Sequence, residues 1–164
     1  MRYAAYGSNL HPYRLRRRVP SASLVGVVMI PGWGLRFHKL STDGSGKCNV
    51  IEADETVLFA LFDIEVRERQ KLDRVEGLGY GYEERTIELQ GFGNCFCYVA
   101  SPTHVDEGLA PYSWYKELVV AGLEYHQAPY DYLEEVRSVD HYIDEDETRH
   151  NENMDIAVAA RNGI

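Results

Sequence analysis

Two stretches far apart in the chain carry residue types suited to small-molecule chemistry. The first is Tyr6-Gly7-Ser8-Asn9-Leu10. There a glycine lies between a strand pattern and a helix pattern, so that backbone N–H groups can converge on an anion such as a carboxylate. The same composition would also serve a plain capped turn. The second is Glu76, at the predicted C-terminal end of a helix. The partial negative charge of a helix end disfavours an ionised carboxylate and tends to raise its pKa, which suits a general base near neutrality. A hydrated surface glutamate is the competing reading. Directly after it, Gly77-Leu78-Gly79-Tyr80-Gly81-Tyr82 gives the freedom of a loop that closes over a small ligand, or of an unstructured connection. Its spacing is not that of a dinucleotide fingerprint, and no strand precedes it.

Other chemistries find less support. Cys95 and Cys97 share one face of a strand, and only Cys48 could join them, so core thiols are favoured over a metal or redox site. The six histidines show no zinc spacing, and there is no phosphate-binding loop, no Gly-x-Ser-x-Gly elbow and no evident Cys/His pair. The basic run Arg14, Arg16, Arg17 and Arg18 reads as a solvated helix face rather than a phosphate site. The twelve tyrosines are too many for any one to be diagnostic. No metal and no cofactor is called for.

The elements that must position these residues follow from periodicity. Residues 2–6 form a short aromatic strand, followed by a turn and a helix over 10–18 that ends before Pro20. Strands are expected at 22–30 and 34–40 with a turn at Pro31-Gly32, and at 48–52 and 56–64 after a polar loop. Val66, Arg69, Leu72 and Val75 recur at helical spacing, with Asp63 as N-cap and the helix stopping near Glu76 before glycine. Strands return at 82–90 and 94–100 around Gly91-Phe92-Gly93. Two helices follow, one carrying Trp114, Leu118, Ala121 and Tyr125, the other opening at Pro129. Strands first and helices last point to an α+β fold with a largely antiparallel or mixed sheet, either open or closed into a small barrel.

With 164 residues, 45% of them hydrophobic, the chain is sized for one domain with one core. That domain is expected over residues 1–139. Residues 140–155 hold seven acidic side chains against Arg149, so 140–164 is expected as an acidic tail, lying loosely on the surface or partly disordered. The net charge of -9 speaks against a nucleic-acid partner, and no apolar run is long enough for a membrane. Three cysteines do not make a disulfide framework, and no signal peptide is evident, so the expected setting is a reducing cytoplasm.

Taken in order, these stretches resemble the gamma-glutamylcyclotransferase family. The resemblance runs through Tyr3-Ala4-Ala5-Tyr6-Gly7-Ser8-Asn9-Leu10, Leu72-Asp73-Arg74-Val75-Glu76-Gly77, Tyr82, Tyr98 and Trp114-Tyr115-Lys116, spanning residues 3–137. It implies a small mixed, largely antiparallel barrel with flanking helices and a cofactor-free conversion of a γ-glutamyl substrate to 5-oxoproline. It matches Glu76 to the catalytic glutamate and Ala5, Tyr6, Gly7, Ser8, Asn9 and Leu10 to the substrate cradle. Tyr82, Tyr98 and Tyr115 match tyrosines that contact substrate. The Tyr-Gly-Ser-Asn-Leu form is similar to the general branch rather than the glutathione-specific one. Cys48 departs from the alanine of many members and puts substrate identity in doubt. A γ-glutamyl amino acid, a γ-glutamyl amine (including a lysine crosslink or a biosynthetic intermediate), and a binding module without turnover all stay open. Homodimers occur in the family, and no stripe in this sequence decides the matter.

Overall fold

The computed structural model describes residues 1–163 and contains one five-stranded sheet and five α-helices. Strands β1 (Arg2–Ala5), β2 (Ser23–Leu40), β3 (Gly46–Asp63), β4 (Tyr82–Leu89) and β5 (Gly93–Ala100) lie in the order β2-β3-β1-β5-β4. Helix α1 (Pro12–Arg18) follows β1, α2 (Arg69–Glu76) precedes β4, and α3 (Ser113–Tyr125), α4 (Tyr130–Ser138) and α5 (Glu147–Arg161) follow β5.

β1 occupies the centre of the sheet. It pairs antiparallel with β3, with Tyr3 opposite Phe62 and Ala5 opposite Ala60, and parallel with β5 at Tyr3 and Phe96. Flanked on both edges, Tyr3, Ala4 and Ala5 are buried, and the strand reads as an unbroken apolar run. The class is therefore α+β as expected, but the sheet is open rather than closed into a barrel: β2 and β4 remain its two edges.

The two strands expected at 22–30 and 34–40 are one. β2 runs through Pro31 and Gly32 with a register shift there, because an edge strand can spare the N–H that proline lacks. β3 is likewise continuous, and it pairs with β2 from Ser23 opposite Asp63 to Leu40 opposite Gly46. Asp63 is not a helix cap. It ends β3 and accepts from the Arg2 guanidinium at 2.9 and 3.0 Å, while a 3-10 turn over Val66–Glu68 leads into α2.

The acidic tail is also more ordered than its composition suggests. Asp144 is buried, accepts from Trp114 Nε1 at 2.8 Å and receives two bonds from Arg149 at 2.6 and 2.5 Å. Asp146 caps α5 through the Arg149 amide, Ala157 and Ala160 are buried, and Arg161 bridges Glu117 and Glu124 of α3. Two arginines and a small-residue face thus dock a segment that shows little hydrophobicity. Ile164 falls outside the described residues.

What fixes the loop after β1 is α3. Gly122 packs so tightly that a Cβ there would stand 2.4 Å from Leu10 Cβ and 3.1 Å from the His11 amide. Below it, His126 Nε2 bonds the Leu10 carbonyl at 2.8 Å.

Two outcomes follow. Gly122→Ala, which on helix propensity alone gains about 1 kcal/mol, is expected to lose roughly 1–3 kcal/mol through overpacking. Urea unfolding checks the sign, and a stabilised variant would show that Leu10 is not clamped. Second, Arg149 and Trp114 hold the Asp144 carboxyl below the usual carboxylate range against the opposing effect of burial. Its stabilisation is present above the unfolded value of about 3.9 and is lost as pH falls. Asp144→Asn should therefore lower the melting temperature at pH 7, with the gap to wild type narrowing below about pH 4.

Candidate active site

The turn after β1 closes with the Leu10 amide bonded to the Gly7 carbonyl at 3.0 Å, and His11 caps α1 by accepting from the Tyr13 amide at 3.1 Å. The amides of Gly7, Ser8 and Asn9 donate to no protein acceptor among the described residues. Gly7 is required by space rather than by dihedral angle. A Cβ there would meet Cys48 Cβ at 2.9 Å and the Tyr115 hydroxyl at 3.4 Å.

Helix α2 ends where expected. Gly77 takes φ 76° and ψ 41°, and the Leu78 amide returns to the Asp73 carbonyl at 2.9 Å, which finishes the helix with Glu76 as its last residue. The Glu76 side chain, 16% exposed, turns to the β1 loop. Its Oε1 accepts from Asn9 Nδ2 at 2.8 Å and from Arg18 Nη1 at 2.7 Å, and Arg18 also donates to Asn9 Oδ1 at 3.0 Å. Oε2 has no protein donor among the described residues. The helix-end field is therefore not the only one acting on this carboxylate: a guanidinium stands directly against it.

Arg18 was hidden in the sequence inside a charge run. On α1 the run divides, with Arg16 and Arg17 exposed while Arg14 and Arg18, one turn apart, face inward beside Leu15. Arg14 is buried, its Nε has no partner, and burial with help from Arg18 lowers its guanidinium to about 9. The spacing of 14 and 18 around an inward leucine was the available signal.

Glu76, Tyr6, Gly7, Ser8, Asn9, Tyr82, Tyr98 and Tyr115 line one pocket, together with Tyr3 and Cys48. The cavity measures about 20 Å³, little more than room for one water and far below the usual volume of a small-molecule site, so a ligand enters only as its walls give way. Ala5 and Leu10 stand outside it. Ala5 is held in the β1 ladder opposite Ala60, and the Leu10 side chain is fully buried under Gly122.

The tyrosines divide by where their protons go. Tyr6 donates to the Tyr98 carbonyl, Tyr82 to the Cys48 carbonyl at 2.5 Å, and Tyr98 to Asp73 Oδ1 at 2.6 Å. These three are committed to the framework and offer mainly their rings. Tyr3 and Tyr115 instead accept, from Asn9 Nδ2 at 3.2 Å and from the Cys48 amide at 3.1 Å; the Tyr115 hydroxyl also stands against the Cys48 sulfur, so Tyr3 is the one that retains its proton for a ligand. Burial pushes both phenols above their ordinary range, so both stay protonated. Tyr3 was not singled out in the sequence.

Burial also pushes the Cys48 thiol up to about 12, which leaves the pocket without a ready sulfur nucleophile. Among the described residues no group of side chains is arranged to hold a metal ion, and no helix is long and apolar enough to cross a membrane.

No protein-family model and no curated protein matches the sequence. Solved structures do. A gamma-glutamyl cyclotransferase superposes with a TM-score of 0.78 at 22% identity, covering 96% of this chain and 98% of that one. An uncharacterized protein from Homo sapiens gives 0.77 at 21%, covering 94% and 97%. YkqA from Bacillus subtilis gives 0.70 at 18%, covering 87% of this chain and 56% of its own. At such identities the likeness concerns the fold.

The thiol chemistry is directly measurable. At pH 8 a thiol with a pKa near 12 is thiolate in only about one part in 10⁴, so native protein should leave Cys48 unlabelled by a thiol reagent over minutes. Unfolded protein should give three thiols. Rapid labelling of Cys48 in the native state would mean that its pocket wall opens.

Proposed function

We propose that this chain, which has the gamma-glutamylcyclotransferase-like fold, is a cyclotransferase that turns a γ-glutamyl compound into 5-oxoproline and a free amine. The observation that carries the reading is the state of Glu76. One carboxylate oxygen is tied down by Asn9 and Arg18, while the other has no protein donor, in a pocket edged by unpaired amides.

In the reaction, Glu76 Oε2 removes a proton from the substrate's α-ammonium. The freed amine attacks the γ-carbonyl carbon, a C–N bond forms to close the five-membered ring, and the carbonyl electrons move onto oxygen. Collapse of that oxyanion breaks the bond to the leaving nitrogen, which takes the proton from Glu76, and the ring nitrogen then gives up its second proton through the restored carboxylate to the departing amine, which leaves as its ammonium. Protons and electrons balance, and no redox partner is needed. General acid–base transfer of this kind is worth roughly 10²–10⁴-fold. Holding the glutamyl chain folded so that its two ends meet contributes through orientation. The amides of residues 7–9 bind the α-carboxylate or the developing oxyanion, with the hydroxyl proton of Tyr3 at hand. Buried Arg14 adds positive field on the same side.

Purified protein should release 5-oxoproline from members of a panel of γ-glutamyl amino acids and amines. Glu76→Gln should lower kcat by about 10²–10⁴-fold with the fold unchanged by circular dichroism, since the amide oxygen still accepts from Asn9 and Arg18. Ligand binding without any product from wild type, or full activity in the variant, would remove the cyclotransferase reading or Glu76's part in it.

A further inference from the structure

Lys39, near the end of β2, is only 8% exposed, and its ammonium has neither an ion pair nor a hydrogen-bond acceptor among the described residues. It lies 4.7 Å from the centroid of the Tyr82 ring, and Tyr82 lines the pocket. Gly81, at φ +133°, makes the space: a Cβ there would stand 3.1 Å from Lys39 Nζ and 3.0 Å from its Cε. Lys39 does not itself line the pocket; it stands against the Tyr82 ring, which does, and Glu76 acts on it electrostatically.

Neighbouring carboxylates do not neutralise it. Asp43 is taken by Lys47 at 2.8 Å and by Ser45, and Glu76 is taken by Arg18. Both still act on Lys39 at a distance, but burial dominates and moves its pKa down. A half-desolvated ammonium without a counter-ion is costly to keep, and an anionic ligand offsets that cost. With the glutamyl part at residues 7–9 and the scissile bond at Glu76, a departing half that passes the Tyr82 ring meets this ammonium. An amino acid leaving group carries a carboxylate there, whereas a simple amine carries none.

We propose that Lys39 is a specificity-determining residue whose ammonium pairs with the carboxylate of the leaving amino acid. The proposal rests on the cyclotransferase reading and narrows its substrate to γ-glutamyl amino acids over γ-glutamyl amines.

The test compares γ-glutamyl-alanine with γ-glutamyl-ethylamine, which differ by that carboxylate. Wild type should favour the former in kcat/KM by about tenfold or more, as for a hydrogen bond to a charged group. In Lys39→Met the preference should collapse, mainly through KM of γ-glutamyl-alanine, and Lys39→Arg should restore part of it. Calorimetric affinities of both compounds for Glu76→Gln and for Glu76→Gln/Lys39→Met protein give the same ratio without turnover. No preference in wild type, or an equal loss for both compounds in Lys39→Met, overturns the proposal. If Lys39→Met does not fold, the wild-type ratio and Lys39→Arg decide it. Absence of product from either compound with a Lys39-dependent affinity ratio intact would overturn the cyclotransferase reading but keep Lys39 as a carboxylate contact.

Discussion

The contact of Glu76 with Asn9 and Arg18 is the constraint on which the site depends. It joins the end of α2 to the loop after β1 across 67 and 58 residues of sequence, at 2.8 and 2.7 Å. Neither side can drift. β1 is held in the middle of the sheet, its loop is pressed under Gly122, and Gly77 fixes where α2 stops. The carboxylate also has a structural task. Arg14 and Arg18 project from one helix face, one of them buried, and like charges so placed repel. Glu76 is the anion that makes their proximity tolerable, which couples the chemistry of the site to the packing of α1.

The tyrosines show the same coupling. Three of the pocket hydroxyls are spent on Cys48, Tyr98 and Asp73 and so hold β3, β5 and α2 in fixed relation around the cavity. Asp73 also accepts from Arg69 at 2.6 Å, whose guanidinium lies 3.8 Å from the centre of the Phe96 ring. These bonds brace that side of the cavity. Of the remaining hydroxyls, Tyr115 leans on Cys48 and Tyr3 accepts from Asn9 Nδ2 with its own proton unassigned. A wall of committed groups with a few uncommitted donors is what orientation of a small flexible ligand requires.

Much of this was legible in the sequence. Apolar runs and glycine punctuation located β1, β4, β5, α2 and α3, because each is short and bounded by strong signals. Glu76 followed from the glycines after it. What failed did so for identifiable reasons. Pro31-Gly32 carries the residues of a turn, yet on an edge strand the same pair is a register shift, and edge position is a property of the assembled sheet. Closure into a barrel is likewise decided by how strands meet, not by their pattern. Asp63 resembled a cap, and its partner proved to be Arg2, 61 residues away. The acidic segment, expected to lie loosely on the surface or be partly disordered for want of positive charge beside Arg149, is tied by Arg149 and by Arg161, each of which bonds more than one carboxylate. In the run 14–18, composition indicated solvation, and the helix turned its first and last members, Arg14 and Arg18, inward.

That sorting explains a contrast in charge. The chain carries a net charge of -9, yet among the described residues Arg14 and Lys39 near the pocket have no ion-pair partner while the pocket's own carboxylate is already paired. Surface acids act over a Debye length of about 8 Å in physiological salt, and beyond it an anionic ligand meets little repulsion. Inside, where screening is weak, the two cations act at close range together with the Arg18–Glu76 pair between them. The general acidity of the protein and the cationic character of the cavity are therefore compatible, because they operate in different media. Sequence-wide charge describes the first, and only the placement of individual side chains describes the second.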